Sequence, residues 1–288
     1  MPKDILSLIS NNMGGFSKGQ KLIANYILSS YDKAAFMTAS RLGKTVHVSE
    51  STVVRFASEL GYDGYPSMQR ALQEMIRNKL TSLQRIEVTN DRLGNHDVLT
   101  AVFQTDIEKL RMTAEEIDRA AFGRAVDTIV GAQRIYIMGS RSSTPLASFL
   151  FFYFNLIFED VVLINSNSLS GALEQMLRIG QRDVLVGISF PRYSRETVRA
   201  MQFAADRGAS TIAVTDSVDS PLASRAGVTL LAKSDMVSFL DSLVAPLSVL
   251  NALIVSVSRH MNDDISRTFS TLERIWDEYE VYERSDGE

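Results

Sequence analysis

The sequence contains no cysteine. That excludes a disulfide framework, a thiol nucleophile and a cysteine-based metal site. Histidine is scarce too: His47, His96 and His260 are the only three. They stand far apart, which gives neither metal-ligand spacing nor a paired acid and base. No run of about 18 apolar residues occurs, so no membrane span is expected. The nearest candidate, Leu146 to Leu156, is short and broken by Asn155, and reads as a buried helix. The opening MPKDILSLISNN lacks the basic–apolar–small order of an export signal. There is no GxxxxGK[ST] phosphate loop, and GSRSST at residues 139–144 lacks the later glycines of a dinucleotide fingerprint. The expectation is a cytoplasmic protein with no cofactor and no metal.

What is present is ordinary for a globular chain: 288 residues, 45% apolar and 22% charged, enough for two domains. The net charge of −4 is unevenly spread. Residues 1–80 hold 10 Lys and Arg against 6 Asp and Glu, net +4, and residues 81–288 hold 20 against 28, net −8. A basic head on an acidic body is what a modular DNA-binding protein shows.

The head centres on Thr38 to Tyr65, TASRLGKTVHVSESTVVRFASELGYDGY. Ala39, Leu42 and Val46 can face inward from a first short helix. A second begins near Val48 and carries Val53, Val54, Phe56, Ala57 and Leu60, with Ser49 as its cap and Gly61 as its stop. The spacing fits a helix-turn-helix, whose second helix docks in a DNA major groove. The competing reading is a plain helical hairpin in a core. The start of the second helix tilts the choice, because Ser49, Glu50, Ser51, Thr52 and Arg55 offer groups that reach phosphates and base edges. Lys44 and His47 stand nearer the backbone, and Arg41 is a further candidate. Around this stretch, Ser17 can cap a helix over 18–30. Pro66 opens another, with Met68, Leu72, Met75, Ile76 and Leu80 on its inner face.

Residues 81–100, around Asn90, Gly94 and Asn95, read as a linker or loosely attached helix, and a helical pattern returns from Leu99 to Ile129. Strands and helices then alternate. Strand signals cover 134–139, 160–166, 183–189, 210–217 and 228–232, with helices at 145–158, 169–179, 195–207 and 237–260. This predicts a three-layer α/β domain with a five-stranded, mostly parallel sheet. The expected boundaries are a helix-turn-helix domain at 1–80, a linker with leading helices at 81–125, the α/β domain at 126–270 and an acidic tail at 271–288.

Ligands of such sheets bind beyond the carboxyl ends of the strands. Two of those ends are dense in hydroxyls. Ser140, Arg141, Ser142 and Ser143 follow the first strand; Ser189, Arg192, Ser194 and Glu196 follow the third. Each loop precedes a helix whose first amides face an anion, and either arginine suits a phosphate or carboxylate. The plain alternative is that these hydroxyls only cap helices. Thr215, Asp216 and Ser217 can line the same crevice. Glu196 could serve as a general base, cap its own helix or bond a sugar hydroxyl.

The whole chain resembles the RpiR/MurR family of bacterial transcriptional regulators, which join a helix-turn-helix domain to a sugar isomerase (SIS) domain. The resemblance rests on TASRLGKTVHVSESTVVRFASELGYDGYPSMQ and ISFPRYSRET, in that order and spacing. It implies dimers or tetramers on double-stranded operator DNA, and an SIS domain that senses phosphorylated sugars or related metabolites. In SIS domains the phosphate is held by hydroxyls after the first and third strands, which implies Ser140, Ser142, Ser143, Ser189 and Ser194 here. The third-strand loop departs from the usual Ser-x-Ser-Gly-x-Thr. Pro191 removes a hydroxyl and an amide, and Arg192 stands in the glycine place, either clamping an anion or filling the site. The resulting expectation is a ligand-responsive DNA-binding regulator, not an enzyme, sensing a small anionic sugar-like effector as a homodimer or homotetramer. The alternative is a sugar-phosphate isomerase with a helical accessory domain, which would need a partner for Glu196.

Overall fold

Alternation along the strands decides the architecture of the second half of the chain. In the computed structural model, Ile135, Ile137, Val184, Val186, Ile212 and Val214 enter one apolar core, while Tyr136, Met138, Leu185 and Ala213 enter another on the opposite face. Both faces of the sheet are therefore covered, as continuous apolar strands require. The strands are β1 (Arg134–Gly139), β2 (Val161–Leu163), β3 (Asp183–Ile188), β4 (Ser210–Thr215) and β5 (Val228–Leu231). Their order is β2-β1-β3-β4-β5 and every pairing is parallel. The expected five-stranded sheet is present, entirely parallel.

The structure describes residues 5–77, 81, 83–86, 97–166, 168–234 and 240–282. Leu80, the Asn90–Asn95 stretch, His96, the proposed helix start at Val237, the last six residues and the side chain of Ile76 lie outside what is described. Two compact units emerge, one of residues 1–103 with 236–241, the other of 104–235 with 242–288.

The first unit is all-helical: α1 (Ile5–Asn12), α2 (Lys18–Ser29), α3 (Tyr31–Ala34), α4 (Ala39–Thr45), α5 (Glu50–Glu59) and α6 (Gly64–Arg77). Ser17 and Gln20 form a reciprocal capping box at the start of α2. Ile23, Ile27, Leu42, Val53, Phe56, Met68 and Leu72 meet in one core. Side chains of α6 satisfy the carbonyls that follow α3. Tyr65 donates to Met37 O at 2.7 Å, Gln69 to the same oxygen at 2.8 Å and Gln73 to Ala35 O at 2.9 Å. Burial pushes the Tyr65 phenol up, so it stays a donor. Arg85, buried, pairs with Asp241 at 3.0 Å within the same unit.

Helix α7 (Val98–Glu116) leads toward the second unit, and α8 (Arg119–Val130) enters it. The helical pattern expected over Leu99 to Ile129 is carried by two helices, because Asp118 caps the second by accepting from the amides of Ala120 and Ala121. Those bonds, from Ala121 first, hold its carboxyl below the usual carboxylate range. The remaining helices are α9 (Thr144–Ile157), α10 (Leu169–Gln175), α11 (Arg195–Asp206), α12 (Val244–His260) and α13 (Asn262–Glu278). Helices α8, α9 and α12 cover one sheet face, α10 and α11 the other. Some boundaries differ from the pattern. β2 ends at Leu163 rather than at residue 166, α10 stops at Gln175, α12 begins at Val244 with the described residues 240–243 outside any helix, and α13 stays helical past residue 271. No single helix among the described residues is long and apolar enough to cross a membrane.

Candidate functional site

Thr38 begins the helix-turn-helix by accepting from the amide of Arg41 at 3.2 Å. Helix α4 ends at Thr45 with Val46 as its C-cap, and His47 turns the chain with φ 58°. The amide of Val48 then bonds back to Gly43 O at 2.9 Å. This return brings the two helices so close that a Cβ on Gly43 would sit 2.8 Å from Val48 O. Only glycine fits. Ser49 caps α5 as expected, accepting from Thr52 N at 3.3 Å. Its hydroxyl also lies 2.9 Å from that of Ser51 and 2.8 Å from that of Thr52.

Lys44, His47, Ser49, Ser51 and Arg55 are exposed and Thr52 is half-buried, so all six proposed DNA contacts lie along the turn and the open side of α5. Val53, Phe56 and Ala57 are buried beneath them. Val54 separates from that apolar set and is exposed.

In the second unit, the strand order reverses direction between β1 and β3, which is where ligands of open parallel sheets bind. A cavity of about 560 Å³ lies there. Three chain segments line it: Gly139 at the end of β1 with Ser140, Arg141 and Thr144 after it; Ile164, Asn165 and Ser166 after β2; and Arg192 through Glu196 after β3. Three arginines and one glutamate give the lining a positive balance. Arg141 and Arg192 both hold left-handed backbone, with φ 57° and 67°. Ser194 caps α11, accepting from Thr197 N at 3.4 Å, so the amino end of that helix opens beside the cavity.

Five of the eight proposed ligand residues line this cavity: Ser140, Arg141, Arg192, Ser194 and Glu196. Ser142 is exposed elsewhere, and Ser143 and Ser189 are buried. The Ser189 hydroxyl is spent inside the loop, accepting from Ser194 N at 3.1 Å. Pro191 is buried and Arg192 exposed. Asp216 does not line the cavity but braces it, accepting from Tyr193 OH at 2.8 Å. Sequence reasoning missed the third wall. Asn165 and Ser166 fall within the strand signal at 160–166, yet the short β2 frees them as loop. Gln175 holds that loop in place, donating to Asn165 O at 3.1 Å and accepting from its amide at 3.2 Å. Neither His47 nor His260 lines the cavity.

The helix-turn-helix family described as "rpiR family" matches residues 3–79, and the SIS domain family matches residues 128–256. The transcriptional regulator HexR of Pseudomonas aeruginosa is 26% identical over 266 residues, covering 89% of this chain and 90% of HexR. The sugar isomerase domain of an RpiR transcription factor from Sphaerobacter thermophilus is 28% identical with a TM-score of 0.57, covering 60% of this chain and 96% of that one. The NanR protein of Vibrio vulnificus, in complex with ManNAc-6P, shares the fold at 23% identity and a TM-score of 0.58, covering 94% of this chain and 97% of NanR. The curated relatives that cover most of the chain are transcriptional regulators, which favours a regulator over the accessory-domain isomerase. With an rpiR-type helix-turn-helix domain followed by a SIS domain, this chain belongs to the RpiR family of transcriptional regulators.

Proposed function

We propose that this regulator binds double-stranded operator DNA through α5 and an anionic sugar-like effector, phosphorylated or acidic, in the cavity at the β1/β3 switch point. The observation that carries the effector reading is convergence. Ser140 and Arg141 from one loop, Asn165 and Ser166 from a second, and Arg192 through Glu196 from a third surround one space. Two kinds of group meet there. Guanidinium groups and the amino end of α11 favour an anion. Ser140, Asn165, Ser166 and Glu196 supply the short donors and acceptors that match sugar hydroxyls. The fold relative that holds ManNAc-6P is in keeping with this pairing.

On the DNA side, Ser51, Thr52 and Arg55 read base edges, while Lys44, His47 and Ser49 hold the phosphates. A homodimer presents one pair of α5 helices and a homotetramer two, each pair about 34 Å apart or a multiple of it, and effector binding biases that spacing.

A thermal-shift screen of phosphorylated and acidic sugars against their neutral parents tests the effector. At least one anionic sugar raises the melting temperature, and the rise is lost in Arg192→Ala. A screen in which no anionic sugar shifts the transition overturns the reading. A mobility-shift titration on DNA upstream of the chain's own gene tests the other half. Binding weakens steeply with salt and is lost in Arg55→Ala.

A further inference from the structure

The open side of α5 is polar except at one position. Six residues of this helix are exposed: Glu50, Ser51, Val54, Arg55, Ser58 and Glu59. Among them Val54 alone is apolar, and it keeps 39% of its surface. At 100° per residue these six fill one half-turn of the helix, bounded by Glu50 and Glu59. Val54 lies inside that arc, three residues after Ser51 and adjacent to Arg55. The opposite half carries Val53, Phe56 and Ala57, which already supply the packing against the rest of the unit. Helix propensity does not call for a valine there either, since β-branching lowers it.

A helix face that enters a major groove meets one apolar group on the base edges, the C5-methyl of thymine. A short branched side chain on the same half-turn as the Ser51 hydroxyl and the Arg55 guanidinium has the size and position to cover that methyl while those neighbours form hydrogen bonds. We infer that Val54 is a specificity-determining residue that reads a thymine methyl in the operator. The inference rests on the proposed DNA contact of α5. It concerns a residue whose place in the sequence pattern is on the apolar face, and which only its exposure sets apart from Val53.

The test uses the full-length chain and a duplex that the chain itself selects from a random pool. Each thymine is replaced in turn by deoxyuridine, which lacks only the methyl, and affinity is measured by fluorescence anisotropy at one salt concentration. One thymine per half-site weakens wild-type binding about fourfold when its methyl is removed, the equivalent of one buried methyl group. Val54→Ala binds the thymine and deoxyuridine duplexes alike. Because Val54 is exposed, that variant keeps the wild-type melting temperature, and the deoxyuridine series probes the contact without altering the protein. Insensitivity at every thymine, or a sensitivity that survives in Val54→Ala, overturns the inference while leaving the DNA-binding reading intact. A wild-type chain that selects no duplex overturns both.

Discussion

The side-chain hydroxyls of Ser140 and Thr197 stand 3.1 Å apart and join the carboxyl end of β1 to the first turn of α11. Thr197 is fully buried, while Ser140 lines the cavity. The contact ties the two hydroxyl-rich loops to each other across the switch point, so each loop's geometry depends on the other. Ser140→Ala and Thr197→Val should each cost about 1 kcal/mol in urea unfolding. The double variant should cost less than the two together, with a coupling of about 0.5–1.5 kcal/mol. Thr197→Val should also weaken effector binding without lining the cavity. Strictly additive losses would mean that the two hydroxyls act independently.

Gly43 sets two effects against each other. Alanine in a helix interior is favoured over glycine by about 1 kcal/mol. At Gly43 the added Cβ would meet a backbone oxygen at 2.8 Å, and backbone cannot swing aside. Overpacking of this kind costs about 1–3 kcal/mol, so the clash should win. Gly43→Ala should lower the melting temperature and weaken DNA binding in step. Gly123 in α8 is the control, since nothing lies within 4 Å of a Cβ there. Gly123→Ala should stabilise by about 1 kcal/mol. Thermal unfolding of both variants gives opposite signs if the approach of α4 and α5 is as close as described.

Much of this could be read in the sequence where the signal is local. Ser49 and Gly61 bound α5 because cap chemistry and positive φ belong to individual residues; Gly61 has φ 88°. The parallel sheet was legible because apolar runs such as DVLVGI need cover on both faces. The cavity was only half legible. Hydroxyl density marks a loop as polar, but which hydroxyl turns outward depends on backbone angles that the composition does not carry. Ser189 and Ser143 therefore turn inward while Ser140 and Ser194 line the cavity. Asn165 and Ser166 were hidden for another reason: β2 is an edge strand, its pairing ends at Leu163, and apolarity alone cannot mark that end. Val54 was illegible because two adjacent valines on a helix look alike until the packing partner is known.

Asp118 makes the stability of the second unit depend on pH. Its folded carboxyl lies below the usual range because the Ala121 and Ala120 amides donate to its charged form. A depressed carboxylate contributes stability that is fully present above its unfolded pKa, about pH 4, and is lost as pH falls through the folded value. Asp118→Asn keeps an acceptor for the cap but does not titrate. The difference in melting temperature between wild type and Asp118→Asn should be constant from about pH 5 upward and should shrink at lower pH. A difference that stays constant down to the acid transition would show that the charge of Asp118 adds nothing to the cap.

Arg192 separates the backbone's demands from those of the ligand. Its φ of 67° is left-handed, a conformation that costs an L side chain about 1–2 kcal/mol and glycine almost nothing. Arg192→Gly and Arg192→Ala remove the same cation, so both should lose effector affinity to a similar extent. They should differ in stability. Alanine keeps the unfavourable backbone without the guanidinium, whereas glycine relieves it. The looser unfolded chain of the glycine variant offsets part of that gain. The glycine variant should therefore unfold at higher urea, ahead of alanine by about 0.5–1 kcal/mol. Equal stability would mean that the loop relaxes to negative φ once the arginine is gone. Retained effector affinity in both would mean that Arg192 shapes the loop but does not hold the anion. The arginine in the glycine place is therefore testable as a trade, in which backbone strain after β3 is kept for the charge it brings to the cavity.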